Sequence, residues 1–362
     1  MRNTPKHKAV AQMNLAPRAP REAPAGRRAA ADTAVAPEAI APPSLRELLA
    51  KRLRKFVTVL PKALGEDNSE AIHDLRVASR RLQQVLVTMF PKPRSDQARR
   101  IVRVLQRARR AVGGWRDCDV LVELLERRIR RLRNPEERRA WETVHESVQE
   151  RRANEIRRAR RKLANHRLFT LAQDVARLTA PGPDQSDAGA DGAGGIGAAD
   201  ALGQSISGGW QQWRDSMARA AETLDPPDLH AFRIQSKRLR YRIELARDLG
   251  ALDCDPVLEF LRSLQDGLGQ MHDRSECFRM AAEALASAKL LIREPRPASL
   301  LLRRMATEQE AEHAKATEII AAAREGSQRV ERWVQEYCAA EGAASRGGEL
   351  AHPLSERNSA GG

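Results

Sequence analysis

Apolar residues in this chain recur at steps of three and four, the spacing of one face of an α-helix. The first such stretch carries Leu45, Leu48, Leu49, Leu53, Phe56, Val57 and Leu60. Ser44 and Glu47 form a capping box at its start, Pro42–Pro43 block an earlier start, and Pro61 and Gly65 stand near its end. The same pattern predicts helices over about 68–90, closed by Pro91 and Pro93, over 95–112, broken by Gly113–Gly114, and over 117–133. A long charged helical segment follows from Pro135 to about Leu178, with a break expected near Asn165. Residues 180–204 are Gly, Ala, Asp, Pro and Ser without a period and read as a flexible linker. Helical patterning resumes at about 205–224 and runs to about Ala340, with breaks near Pro226, Pro256 and Pro295. Residues 1–43, rich in Ala and Pro, and the small, polar residues 343–362 are expected to be disordered tails. No stretch alternates β-branched and polar residues, so the expected fold class is all-α.

The chain also repeats itself. From His73 it reads H-D-L-R-V-A-S-R-R-L-Q, and from His230, 157 positions on, H-A-F-R-I-Q-S-K-R-L-R. Val112–Gly113 with Asp117 returns as Leu268–Gly269 with Asp273, 156 positions on. Two blocks that keep nearly one offset indicate a tandem duplication, with repeat 1 over 44–179 and repeat 2 over 205–342.

On a helical wheel His73, Arg76 and Arg80 share one narrow arc, flanked by Arg81, and Leu75, Leu82, Leu86 and Met89 lie opposite. In the second copy His230, Arg233, Lys237 and Arg240 share the arc, flanked by Arg238, opposite Phe232, Leu239, Ile243 and Ala246. The helix over 95–112 adds Arg99, Arg103 and Arg110, flanked by Arg107, with Ile101, Leu105, Ala108 and Val112 as its apolar side. One row of arginines is ordinarily a solvated face. Like charges one turn apart also cost a helix stability. A row kept in two copies, each opening on a His, points to an anion that neutralises it, and guanidinium forks suit phosphate oxygens.

Composition narrows the anion. The 362 residues carry 63 Lys+Arg against 48 Asp+Glu, a formal charge of +15 with a pI near 10.4, which favours nucleic acid, acidic membrane or polyphosphate as partners. Aromatic residues make up only 4%, few for a protein that stacks bases. Trp115, Trp141, Trp210, Trp213 and Trp333 are expected in the core or at its border. Cys118, Cys254, Cys277 and Cys338 form no C-x-x-C pair and read as reduced thiols of a cytoplasmic protein. No apolar run reaches membrane-spanning length, and the N-terminus lacks the apolar core of a signal peptide. His73–Arg76 resembles the phospho-acceptor box of sensor kinases, but no Gly-rich nucleotide-binding domain follows it. Asp117 and Asp119 have the spacing of a D-x-D metal pair, yet Ser275 replaces the second carboxylate in repeat 2. A cap on the helix after Gly113–Gly114 is the expected role of Asp117. Alternatively Asp117, with its counterpart Asp273, holds a groove arginine in place. His145, His166 and His313 stand alone and are expected at the surface or its border. No nucleophile set, P-loop or G-x-G-x-x-G is present.

The paired H-x-x-R-x-x-x-(R/K)-R-L motifs, R-D-x-D-V at 116–120 and L-Q-D-x-L-G-x-x-x-D at 264–273 resemble the CHAD family, the conserved histidine α-helical domain, over roughly 44–340. The resemblance implies two antiparallel helical bundles related by pseudo-twofold symmetry. It implies a basic central groove that binds inorganic polyphosphate and association with polyphosphate granules. By motif position the ligand contacts fall on His73, Arg76, Arg80, Arg81, His230, Arg233, Lys237 and Arg238. Gln83 stands where repeat 2 has Arg240, so the half-sites are expected to be unequal. Some relatives carry a triphosphate-tunnel domain upstream. Residues 1–43 are too short for one and hold no E-x-E-x-K, so its phosphatase activity is not implied. The expectation is a binding module without cofactor, metal or chemistry of its own. The alternatives are a nucleic-acid-binding protein on the same basic surface or a polyphosphate-processing enzyme.

Overall fold

In a computed structural model of the chain, residues 42–349 are described, apart from 66, 92–93, 165–167, 181–195, 287–291 and 293. The expected tail over 1–43 thus lies almost wholly outside the described residues, as do His166 and the break near Asn165. The described residues form helices and no strand: α1 (Leu45–Gly65), α2 (Ser69–Met89), α3 (Asp96–Ala111), α4 (Gly113–Arg131), α5 (Pro135–Ala164), α6 (Leu171–Thr179), α7 (Ile196–Thr223), α8 (Pro226–Asp248), α9 (Cys254–Leu285) and α10 (Pro295–Glu349). The all-α expectation holds.

Local chemistry places most boundaries. The Ser44 amide donates to the Glu47 carboxylate at 2.7 Å and the Glu47 amide to Ser44 Oγ at 3.3 Å, closing the capping box. Asn68 caps α2 by accepting from the amides of Glu70 and Ala71, and Ser95 caps α3 through the amide of Ala98. Pro135, Pro226 and Pro295 open α5, α8 and α10, where the missing N–H costs nothing. The Gly113–Gly114 pair does not separate α4 from its cap. The chain turns only at Val112, and α4 begins at Gly113 with no side-chain cap. Asp117 therefore lies inside α4 and does not cap it, which corrects that expectation. In repeat 2 the corresponding Leu268–Gly269 causes no break, and one continuous α9 replaces the α3–α4 pair. Helix α7 begins at Ile196 and α10 extends to Glu349, within stretches whose many glycines hide the helical period in sequence.

Helix α2 packs on α1 and α3, α8 packs on α7 and α9, and α2 meets both α7 and α8. The largest apolar cluster runs through both repeats: Phe56, Ile72, Leu75, Leu82, Leu105 and Trp115 join Trp213, Phe232, Ile243 and Leu258. A second cluster also takes residues from both, with Cys118, Leu125, Trp141 and Val148 against Cys277, Met280, Ala284 and Leu301. The arginine-bearing helices are held from behind. Ser79 and Ser236, matched in the repeat, are fully buried and donate to the carbonyls of Arg76 (3.0 Å) and Phe232 (2.9 Å). Trp213 Nε1 donates to Ser236 Oγ at 2.9 Å while its ring stacks on Trp210. All five tryptophans are buried.

Gly326 of α10 lets the Phe260 ring of α9 approach so closely that an added Cβ would lie 2.1 Å from Phe260 Cε2. Gly326→Ala should therefore cost about 1–3 kcal/mol of stability despite the helix preference for Ala, read as a lower denaturation midpoint. An unchanged or higher midpoint would show that this α9–α10 packing is not held in solution.

Candidate functional site

Helices α2 and α8 meet across the two repeats, and the cationic side chains opposite their apolar faces come together at this junction. Arg80 of α2 reaches across it: Nη1 donates to Tyr241 Oη of α8 at 3.2 Å, and Arg80 and Arg240 both lie 5.1 Å from the Tyr241 ring centre. Arg76 is half-buried one turn earlier, with Nη1 3.5 Å from the Arg109 carbonyl and against Gly113, where a Cβ would meet it at 3.4 Å. From repeat 2 come Arg233 and Lys237, one turn apart on α8.

The cations outnumber their counter-charges. Glu244 is occupied by Arg81 (3.6 Å) and Arg240 (3.4 Å), and Glu276 by Arg279 (2.8 Å). That leaves Asp117 and Asp273 among Arg76, Arg80, Arg109, Arg233 and Lys237. Burial pushes both carboxyls up, while Arg76 beside Asp117 and Arg233 beside Asp273 pull them down. Lys237 shows the resulting field: burial first, then Arg233, Arg80 and Arg76, push its amine down to about 7. Burial, with Arg80 and Arg76, pushes Arg109 down to about 10. Arg109 Nη1 and Arg233 Nε are buried and meet no acceptor among the described residues. Buried donors without acceptors are costly and mark where an anion fits.

Three imidazoles lie among these cations. His73 is exposed, and burial with the nearby Arg116 lowers its pKa, Asp74 opposing. His230 stands beside His272, Nδ1 to Nδ1 at 3.4 Å. Burial and Arg233 lower both, His272 to about 4. In the repeat register Arg116 matches His272, so repeat 1 carries a fixed cation where repeat 2 carries a titratable imidazole. Arg116 is anchored by Ser69 Oγ at 2.7 Å. A cleft of about 740 Å³ adjoins the His230–His272 pair, lined by Met271, Leu268 and Ala316 among others. Met271 matches Trp115 in the repeat register, and the Trp115 indole is fully buried.

Several expected residues lie elsewhere. Arg99, Arg103, Arg107 and Arg110 are exposed on α3, and Arg99 pairs with Asp96. Arg109, one step from the buried Ala108, reaches the concavity from that helix instead. Arg238 is exposed beside Gln235. The D-x-D pair diverges: Asp119 is buried and accepts from Arg152 Nε at 2.7 Å, and Arg152 also binds Asp67. Among the described residues no cluster of His, Cys, Asp and Glu could hold a metal ion, and no helix is long and apolar enough to cross a membrane. Residues missed in sequence are Arg109, Arg116, Tyr241 and His272. The repeat register was the signal available for two of them, since Arg116 and His272 immediately precede the matched Asp117 and Asp273.

The fold has solved counterparts. The crystal structure of the CHAD domain from the plant Ricinus communis aligns with a TM-score of 0.50 at 18% identity, over 82% of this chain and 93% of that one. PptA from Streptomyces chartreusis aligns with a TM-score of 0.52 at 20% identity, over 80% of this chain and 98% of that one. No curated protein sequence matches. The CHAD domain family matches residues 47–282, which include both His-led motifs and the helices that carry them, and the chain belongs to that family.

Proposed function

We propose that the concavity between α2 and α8 binds inorganic polyphosphate as a module without chemistry of its own. The observation that carries this reading is the surplus of half-buried cations with unpartnered donors, contributed by both repeats. Arg76, Arg80 and Arg109 face Arg233, Lys237 and Arg240, so a linear anion lying across the concavity meets donors along its length. A chain of phosphates has that shape and one charge per unit. The burial of every tryptophan leaves no indole platform for bases. The exposed Arg99, Arg103, Arg107 and Arg110 extend the positive surface beyond the concavity. A cytoplasmic place on polyphosphate granules follows from this reading.

Titration with polyphosphates of defined length, in the presence of excess duplex DNA, tests it. Log affinity should fall linearly and steeply with log salt, as counterion release demands of nucleic-acid complexes and, by the same physics, of polyphosphate. Polyphosphate should hold the site against DNA at moderate salt. A flat salt dependence, or displacement by DNA, would sink the proposal. Phosphate release in the presence of added divalent metal would replace the module with an enzyme.

A further inference from the structure

The cleft beside His230 and His272 does not suit a bare phosphate chain. Its volume of about 740 Å³ falls within the range of small-molecule sites, roughly 300–1,000 Å³. Leu229, Leu268 and Ala316 are buried in its walls, and Met271 and Phe278 add half-buried apolar surface. Asp225, Glu276 and Glu312 also line it, and carboxylates repel phosphate. Glu276 is held by Arg279 at 2.8 Å and Glu312 by Arg274. Apolar walls with fixed carboxylates favour an occupant that has an apolar ring and N–H or O–H donors.

The cleft nevertheless borders cations that suit phosphate. His230 lines it, and Arg233 and Lys237 follow on the same face of α8, about 4.5 and 10.5 Å further along the helix axis. Arg233 Nε is buried and meets no acceptor among the described residues. Between cleft and cations stand two imidazoles, His230 and His272, with Nδ1 atoms 3.4 Å and ring centres 4.8 Å apart. Imidazole and phenyl rings both stack on nucleobases.

We propose that this cleft holds the base and sugar of a purine nucleoside polyphosphate whose phosphates lie on Arg233 and Lys237. The placing of the phosphates rests on the proposed function, whereas the cleft stands on its own walls. The base is enclosed, with His230, His272 and Phe278 as stacking partners, so no exposed indole is required. Asp225 and Glu276 accept from sugar hydroxyls and a base amino group. Burial of the base adds an apolar contribution that inorganic phosphate cannot make. Nucleotide and polyphosphate then compete for Arg233 and Lys237, and the nucleotide concentration sets how much polyphosphate the protein holds.

Inorganic tripolyphosphate is the control, because it offers the same run of phosphates, at least as much charge and no base. The full chain is titrated with ATP, GTP and tripolyphosphate by calorimetry, without divalent metal. The better of the two nucleotides should bind at least ten-fold tighter than tripolyphosphate and should displace long-chain polyphosphate. If neither nucleotide exceeds tripolyphosphate, the proposal is overturned. Ser275 and Gln309 line the cleft from exposed positions, so Ser275→Trp and Gln309→Trp fill it without disturbing the core, and the thermal midpoint checks the fold. Each should remove the nucleotide advantage. Full retention of that advantage in both variants would put the base elsewhere and overturn the assignment. Arg233→Met should weaken nucleotide and tripolyphosphate alike, and unchanged nucleotide affinity would overturn the joint site. Nucleotide binding without polyphosphate binding removes the proposed function and leaves this site standing. Polyphosphate binding without a nucleotide advantage removes this site alone.

Discussion

Lys237→Met will weaken polyphosphate binding and make the empty protein more stable, opposite effects from one substitution. Both follow from a buried amine among guanidiniums. At pH 6 the ammonium is charged in the folded and the unfolded chain, and folding must force it against Arg233, Arg80 and Arg76. Its folded pKa, about 7, lies below its ordinary 10.5, so between these values the unfolded chain binds the extra proton and stability rises with pH. The unfavourable contribution is thus fully present below pH 7 and absent above about 10.5. Met keeps the apolar stem and removes the charge. The gain in thermal midpoint should be largest at pH 6 and fade by pH 10. Binding moves the other way, because a hydrogen bond to a charged partner contributes roughly 1.5–3 kcal/mol, about 10- to 150-fold in affinity. Arg76→Met and Arg233→Met should weaken binding by similar factors. A Lys237→Met protein that is less stable at pH 6 and binds normally would make Lys237 a packing residue.

The arginine rows were legible because the duplication displayed them twice and the helical period set them opposite Leu75, Leu82, Phe232 and Leu239. Helix starts were legible where a cap or a proline marked them, as at Ser44, Asn68, Ser95 and Pro226. What sequence periodicity could not supply was the relation between helices. Arg109 sits on the flank of α3, and only the packing of Ala108 against the core decides that this flank, and not the stripe through Arg103 and Arg107, faces the concavity. Tyr241 stands outside both the cationic arc and the apolar set of its helix, and its hydroxyl becomes a site feature only because Arg80 arrives from the other repeat. His272 carries no pattern of its own. The Gly113–Gly114 pair misled for a physical reason. Glycine permits a break, but the turn was made at Val112, and α4 absorbed both glycines. Gly114 accommodates the Glu155 side chain, since a Cβ there would lie 2.4 Å from its Oε2. The sharing of both apolar clusters between the repeats was equally invisible, since a wheel shows that a face is buried and not what buries it.

The histidines and Lys237 beside these arginines should make polyphosphate binding depend on pH in two separable ranges. In the empty protein burial and nearby cations lower all three imidazoles. His73 faces Arg116 and Arg76 with Lys237 beyond, and only Asp74 opposes them. His230 faces Arg233 and Lys237, with Glu276 and Asp117 opposing, and His272 faces Arg233, His230 and Lys237 with Glu276 opposing. A bound polyanion reverses this field and raises each of these pKa values. A ligand that raises a pKa binds better to the protonated protein, so complex formation takes up protons. Affinity should therefore increase as pH falls from about 8 toward 5, the range around an ordinary imidazole. The His272 contribution should level off below its empty-state value of about 4. Lys237 acts above pH 7: its empty-state pKa of about 7 rises on binding, so affinity declines further as the solution becomes alkaline. Chains long enough for their titrating termini to be few are the required ligand. His230→Gln/His272→Gln should reduce the limb below pH 7 to the His73 contribution and leave the alkaline limb intact, and Lys237→Met should remove the alkaline limb and leave the acid one. His272→Arg, which installs the residue repeat 1 carries at Arg116, should raise affinity at pH 7.5 and remove part of the acid limb, because the charge no longer depends on pH. A His230→Gln/His272→Gln protein with the full acid limb would mean that these imidazoles hold arginines in place as neutral hydrogen-bonding groups and do not meet the ligand as cations.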